Sequence, residues 1–336
     1  MTPDLPSDLQ AGLDALTEGV SRNLLAERAA AISRTYRSGR SSAGIIKNRD
    51  DALAYAMARL PATFAAVAAV LAAVEEAAPD FAPQTLLDVG AGPGTAAWAA
   101  VACFPGLGGI RLVDENPHLR ELALRLLASG GENVLRDAVY REGAARQILP
   151  ATEKADLVIA SYFVGEVASD QLLNMANALW SRVNDTLIVI EPGTPAGFAR
   201  IRHVRSYLIE QGGHVICPCP HDGECPLTRD DWCHFSQRLN RSRDHRQVKG
   251  AALSFEDEKF SYVALTRHKP QAVARDRVLA APHVTKAQVA TKLCTAQGLV
   301  EDVASRRDRD AYKMRRNWRW GDAVRRTVGL ADEPSA

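Results

Sequence analysis

The chain has 336 residues, 46% hydrophobic and 24% charged, the composition of an ordinary globular protein with one large core or a core and a smaller satellite. No run of 18 apolar residues occurs, so no membrane span is expected; the first ten residues hold Asp4 and Asp8 and no base, unlike a signal or transit peptide, so the expected location is cytoplasmic. The net charge of +1 hides a division: residues 1–199 carry 16 Lys and Arg against 23 Asp and Glu, and residues 200–336 carry 25 against 17. Such asymmetry points to a polyanion facing one half, or more simply to a solvated basic surface.

Ala, Leu and charged residues at helical spacing predict helices over 8–19, 21–36 and about 50–77, with Pro61 expected to kink or divide the third. The segment 38–42 breaks the pattern, and residues 1–80 read as a helical lobe. From Thr85 the pattern changes to short apolar runs, 86–89, 110–113, 157–160 and 187–190, separated by helix-like stretches 95–104, 117–128, 170–183 and 197–211. Uniformly apolar strands alternating with helices predict a doubly wound α/β sheet covered on both faces. Two further strands, 214–216 and 260–265, bracket a cysteine-rich insert at 217–259. The expected main domain is therefore 81–216 with 260–268. Beyond it lie short β-like runs, 277–280 and 288–293, and a basic helix or tail at 305–326 within a C-terminal segment, 269–336.

The sharpest motif is Asp88-Val89-Gly90-Ala91-Gly92-Pro93-Gly94, at a strand-to-helix turn. Glycines there permit positive φ and close approach of a ligand to the backbone. The third glycine comes one residue earlier than in a dinucleotide fingerprint, and an acid stands two residues before the first. This segment resembles the D-x-G-x-G-x-G loop of class I methyltransferases, which have a Rossmann-like fold. The spacing makes chemical sense: S-adenosylmethionine has no phosphate to cradle, but an ammonium and a sulfonium that suit a carboxylate such as Asp88. Asp114 closes the second strand 24 residues past Gly90 and is positioned to accept both ribose hydroxyls. Ser161 and Tyr162 end the fourth strand, at the carboxyl edge where open α/β sheets bind ligands.

Catalytic residues are not identifiable. The sulfonium is already activated, so in-line positioning could suffice. The amine-methylating Asn/Asp-Pro-Pro-Tyr/Phe element is replaced by Ser161-Tyr162-Phe163-Val164, and no Pro-Cys or Thr-Cys nucleophile lies near that strand or the next. Glu166 and Glu191 are candidate acids or bases, with structural roles the simpler reading.

Of six cysteines, Cys103, Cys217, Cys219, Cys225, Cys233 and Cys294, four fall within residues 217–233. Such density favours a metal over disulfides in a cytoplasmic protein. The spacings are looser than the C-x₂₋₄-C of zinc, and His221 and His234 are further candidate ligands.

The run from Cys219-Pro220-His221-Asp222-Gly223-Glu224-Cys225-Pro226, through Asp231-Trp232-Cys233-His234-Phe235, to Phe255-Glu256-Asp257-Glu258-Lys259-Phe260-Ser261-Tyr262 resembles one family. It is the methyltransferase-like assembly factors of the small ribosomal subunit, known from mitochondria and with bacterial relatives. The likeness runs from the helical segment near Tyr36–Leu60 to Trp320-Gly321-Asp322. It implies S-adenosylmethionine at the glycine loop and a [4Fe-4S] cluster on Cys219, Cys225, Cys233 and Cys294, with Cys217 spare and zinc as the alternative. It also implies action on the small subunit in assembly or translation, or alternatively methylation of its rRNA.

The basic residues complete the pattern. Arg238, Arg241, Arg243 and Lys249 in the insert, and Arg315 and Arg316 near the end with Trp318 and Trp320, suit phosphate contact and base stacking. The resemblance makes ribosomal RNA the expected partner, a solvated helix face being the simpler alternative. A monomer is expected for the free protein.

Overall fold

Successive residues of the apolar strands point to opposite faces of one sheet, and that alternation organises this computed structural model, which describes residues 4–37, 44–228, 230–270 and 275–326. The expected break at 38–42 and the chain past 326 lie outside the described residues.

The helical lobe comprises α1 (Ser7–Thr17), α2 (Arg22–Arg37) and α3 (Arg49–Ala77). Asn48 caps α3 by accepting the Asp51 amide, and Asp50 and Asp51 sit in its first turn, where negative charge suits the helix dipole. The helix is not divided at Pro61. Leu53, Met57, Leu60, Phe64, Val67 and Leu71 are all buried, so packing offsets the missing amide bond. By length and composition α3 could cross a membrane, but most of its apolar stretch is buried inside the protein as a core helix.

The main sheet follows in the order of its alternating elements: β1 (Thr85–Val89), α4 (Thr95–Cys103), β2 (Gly109–Asp114), α5 (Pro117–Ala128), α6 (Asn133–Arg136), β3 (Val139–Glu142), α7 (Ala145–Ile148), β4 (Ala155–Ser161), α8 (Leu172–Trp180), β5 (Val183–Pro192), α9 (Pro195–Glu210), β6 (His214–Cys217), β7 (Phe235–Asn240), α10 (Arg243–Lys249) and β8 (Phe255–Thr266). Strand order is β3-β2-β1-β4-β5-β8-β6, with β7 also paired to β8. Strands β1 to β5 are parallel and β8 runs antiparallel to β5 and β6, so the sheet is mixed. Leu86, Ile110, Leu112, Leu157, Ile159, Ile188 and Ile190 face the core beneath α1 to α5. Leu87, Val89, Val113, Val158, Ala160, Leu187 and Val189 face the opposite core beneath α8 and α9. The order β3-β2-β1-β4-β5 with helices on both faces is the Rossmann-like arrangement, and its reversal point falls between β1 and β4.

Three elements depart from the sequence reading. Strand β3 was not foreseen, because Tyr140 is its one buried residue and no apolar run marks it. The 217–259 segment is not wholly separate from the sheet: β7 pairs with the first half of β8, from Phe235 opposite Phe260 to Asn240 opposite Phe255. The C-terminal segment forms a second sheet of β9 (Asp276–Val278), β10 (His283–Val284), β11 (Gln288–Thr295), β12 (Gly298–Ser305) and β13 (Ala323–Val324). Its helix, α11, covers only Arg309–Arg315, after which the chain returns to pair Ala323 with Arg277.

A candidate cofactor cleft and a cysteine-lined cavity

The glycine loop joins β1 to α4 at the reversal point. Gly90, Gly92 and Gly94 have φ of 69°, 53° and 79°, a region where a side chain strains the backbone. The loop is fastened to β2: the Gly90 and Ala91 amides donate to the Val113 carbonyl at 2.8 and 3.1 Å, and the Gly92 amide donates to Asp114 Oδ2 at 2.9 Å. Asp114 Oδ1 accepts the Asn116 amide at 2.8 Å, while Tyr140 donates its hydroxyl to the Gly92 carbonyl at 2.8 Å. Burial pushes the Asp114 carboxyl up despite these two amides.

Beside the loop opens a cleft of about 350 Å³, within the size range of small-molecule sites. Gly90 and Asp114 lie on its wall with Gly143, Ala144, Phe163 and Met175. Gly143 and Ala144 follow the strand that periodicity missed, and Phe163 is the β4-end residue that reaches the cleft. A Cβ added to Gly90 would lie 2.4 Å from Phe163 Cδ2, so this glycine is required by packing as well as by φ.

Other expected cofactor residues sit elsewhere. Gly92 and Gly94 shape the loop from within. Asp88 is fully buried beneath it and is not part of the cleft wall. Burial, followed by the charge of Asp114, pushes its carboxyl up to about 8 against the opposing pull of the Ala97 amide. Ser161 is half-buried at the end of β4 and outside the cleft wall. Tyr162 takes a φ of 56° and turns away from the cleft; its hydroxyl donates to Glu258 Oε1 at 2.9 Å. Arg59 of α3 pairs with the same carboxylate at 2.8 Å and lies over the Tyr162 ring. Glu191 is fully buried, accepts the Gly165 amide and pairs with Arg200, and burial pushes it up to about 7.

At the far side of β8, Cys219, Cys225, Cys233 and Cys294 line one cavity, together with Arg205, Tyr262 and Arg277. Three come from the loop and approach to β7, and Cys294 from β11 of the second sheet. Burial pushes the Cys233 thiol well above its ordinary range, and the charges of Cys219, Cys225 and Cys294 add to that effect, as expected for sulfurs gathered together. His221 Nε2 lies 3.9 Å from Cys294 Sγ. Cys217 is fully buried off the cavity wall beside Tyr262, a distinction that spacing alone could not make. Among the described residues no three His, Cys, Asp or Glu side chains are grouped closely enough to hold a single metal ion.

The expected RNA-contacting bases divide into two sets. Glu256 pairs with both Arg241 and Lys249 at 2.5 Å, and the buried Arg315 pairs with Asp302, so these three charges face inward. Arg238 is exposed but forked onto Asp257. Arg243 and Arg316 are exposed and free of ion pairs among the described residues.

Comparison with known proteins adds the family context. The family model described as mitochondrial small ribosomal subunit Rsm22 matches residues 49–325. A human protein named "Ribosome assembly protein METTL17, mitochondrial" is 30% identical over 301 residues, covering 84% of this chain and 64% of the human one. The Schizosaccharomyces pombe "Rsm22-cox11 tandem protein 2, mitochondrial" is 28% identical over 243 residues, covering 64% of this chain and 32% of its own. The chain thus spans less than two thirds of either relative. Among solved structures, magnesium protoporphyrin IX methyltransferase from Synechocystis with bound SAM overlaps with a TM-score of 0.41 at 12% identity, covering 80% of this chain and 100% of that one. Precorrin-6y C5,15-methyltransferase from Geobacter metallireducens gives 0.40 at 15%, covering 60% and 87%. The fold assignment rests on strand order rather than on these overlaps.

Proposed function

The chain belongs to the mitochondrial small ribosomal subunit Rsm22 family, and from that premise we propose that it is an S-adenosylmethionine-binding factor acting on the small ribosomal subunit during assembly, with a four-cysteine metal centre in its C-terminal half. The observation that carries the cofactor reading is the Asp114 carboxylate, which fixes the glycine loop through Gly92 and still faces the cleft at the reversal point. Each of its oxygens has a lone pair left beyond the amide it holds, enough to receive a ribose hydroxyl. The small-subunit reading is supported by the family description, and the assembly reading by the human relative, a mitochondrial ribosome assembly protein.

The turn of Tyr162 toward Glu258 and Arg59 takes it out of the cofactor-contacting role expected of it, and it is the missing amine-methylating element at Ser161-Tyr162-Phe163-Val164 that favours a binding role over methyl transfer to rRNA. Exposed Arg243 and Arg316 are the bases left to meet rRNA phosphates.

The cysteine residues fit a metal centre. Zinc in a thiolate site holds sulfurs at about 2.3 Å from the ion, hence within about 4 Å of one another. Here Cys219, Cys225, Cys233 and Cys294 line one cavity, and the choice of a [4Fe-4S] cluster over zinc rests on the resemblance of the cysteine motifs to the family, not on their spacing in the fold. When bound, such a group supplies a crosslink between the 219–233 segment and β11, and so contributes to the folding of this half. Cys219, Cys225, Cys233 and Cys294 would hold it.

Two measurements on the full chain purified without oxygen test the proposal. Iron, zinc and sulfide analysis should give about four irons and four sulfides per chain, lost in Cys219→Ser and Cys294→Ser; zinc without sulfide would replace the cluster with a structural ion. Sedimentation with small subunits should retain the chain, and should fail for a variant unable to bind S-adenosylmethionine if the cofactor is needed there. Methyl incorporation into rRNA would instead establish the enzyme reading.

A further inference from the structure

One face of α9 carries Phe198, Arg202 and Arg205 to the cysteine cavity. Arg205 is 3% exposed, yet it enters no ion pair among the described residues: one Nη donates to the His221 carbonyl at 2.6 Å and Nε has no partner. From the second sheet, Arg277 is 6% exposed and donates to two carbonyls, those of Pro218 at 2.9 Å and Gly321 at 2.7 Å, also without an ion pair. Other deeply placed guanidiniums are treated differently, since Arg315 faces Asp302 and Arg241 faces Glu256. A guanidinium does not give up its proton in a protein. Arg277 feels the Glu76 carboxylate, but neither guanidinium is ion-paired among the described residues, and burying two such charges is strongly unfavourable unless further anions stand near.

The candidates around both are sulfurs: Arg205 and Arg277 line one cavity with Cys219, Cys225, Cys233 and Cys294. We propose that Arg205 and Arg277 are the built-in counter-charge of the cysteine cavity, fitting it to an anionic four-thiolate metal centre rather than to a neutral one. Four thiolates around a doubly charged ion or a doubly charged iron–sulfur core leave two negative charges, which the buried guanidiniums of Arg205 and Arg277 offset from inside while the half-buried Arg202 lines the same cavity. A disulfide pair or a two-cysteine, two-histidine zinc site leaves none, and would strand both cations. This inference rests on the metal-centre reading above and assigns the two arginines a positioning role toward it.

The test compares full-length wild type, Arg205→Met and Arg205→Lys, each loaded anaerobically, for metal content, release to an iron or zinc chelator, and thermal unfolding with and without metal. Arg205→Met should release metal at least tenfold faster, and Arg205→Lys should recover most of the difference. Without metal, Arg205→Met should unfold no lower than wild type, because the unpaired cation is gone; an arginine with only a structural role would lower both forms alike. S-adenosylmethionine titration, which reads the opposite side of β8, checks that each variant is folded. Equal release rates, or equal destabilisation with and without metal, would overturn the inference. A wild type that takes up neither iron nor zinc would overturn the metal-centre reading itself.

Discussion

Asp114 Oδ2 accepts the Gly92 amide at 2.9 Å, so the acid that closes β2 also holds the centre of the glycine loop. Its other oxygen accepts the Asn116 amide. In Asp114→Asn one of these amides must face an NH₂ group, donor against donor. The variant should lose about 1–3 kcal/mol of stability, the usual cost of an unmet buried hydrogen bond. Calorimetric titration should show S-adenosylmethionine affinity falling at least tenfold; unchanged affinity would remove Asp114 from the site.

Gly90 is constrained twice, by its φ of 69° and by Phe163. Gly90→Ala should cost about 1–2 kcal/mol for the left-handed backbone alone, with the Phe163 clash added. Replacing Phe163 with Ala as well should recover the clash but not the backbone cost. A thermal-unfolding double-mutant cycle separates them, and strict additivity would mean that the contact is unimportant.

Asp88 should impose a pH dependence. Its carboxyl is raised by burial and then by Asp114 to about 8, from 3.8. The native state thus holds a proton that the unfolded chain releases near pH 4. The associated stability is complete below pH 4 and is lost as pH rises through 8. Asp88→Asn carries no titrating group, so its melting temperature should gain on wild type steadily between pH 4 and 8. Parallel curves would show that Asp88 titrates normally.

Tyr162 combines a left-handed backbone with a hydroxyl bond to Glu258. Tyr162→Phe should cost about 1 kcal/mol through that bond. Tyr162→Gly should be more stable than Tyr162→Ala by about 1 kcal/mol, since glycine accepts the conformation freely. Chemical denaturation of the three variants reads both terms, and a glycine variant below the alanine one would place the backbone elsewhere.

Arg315 and Arg316 are neighbours with opposite expected effects. Breaking the buried Arg315–Asp302 pair with Arg315→Ala should cost about 3–5 kcal/mol. Arg316→Glu, on the surface, should change stability by no more than about 0.5 kcal/mol while weakening association with small-subunit RNA at low salt. Equal RNA binding by wild type and Arg316→Glu would take this residue out of any RNA contact.

The sequence by itself determined the parts that depend on local chemistry. Apolar runs such as Leu187–Ile190 become buried strands because alternate residues meet a core on each face, and glycines at 90, 92 and 94 leave the backbone free to take positive φ. Tertiary structure decided everything that depends on partners distant in the chain. Strand β8 and α3 draw Tyr162 out of the cleft through Glu258 and Arg59. The second sheet brings Cys294 to the cavity that Cys219 lines and leaves Cys217 aside. Glu256 and Asp302 take up the charges of Arg241, Lys249 and Arg315, which composition would count as free. The physical reason is the same throughout: periodicity records which face of an element is buried, whereas the occupant of that face is set by register and packing across elements.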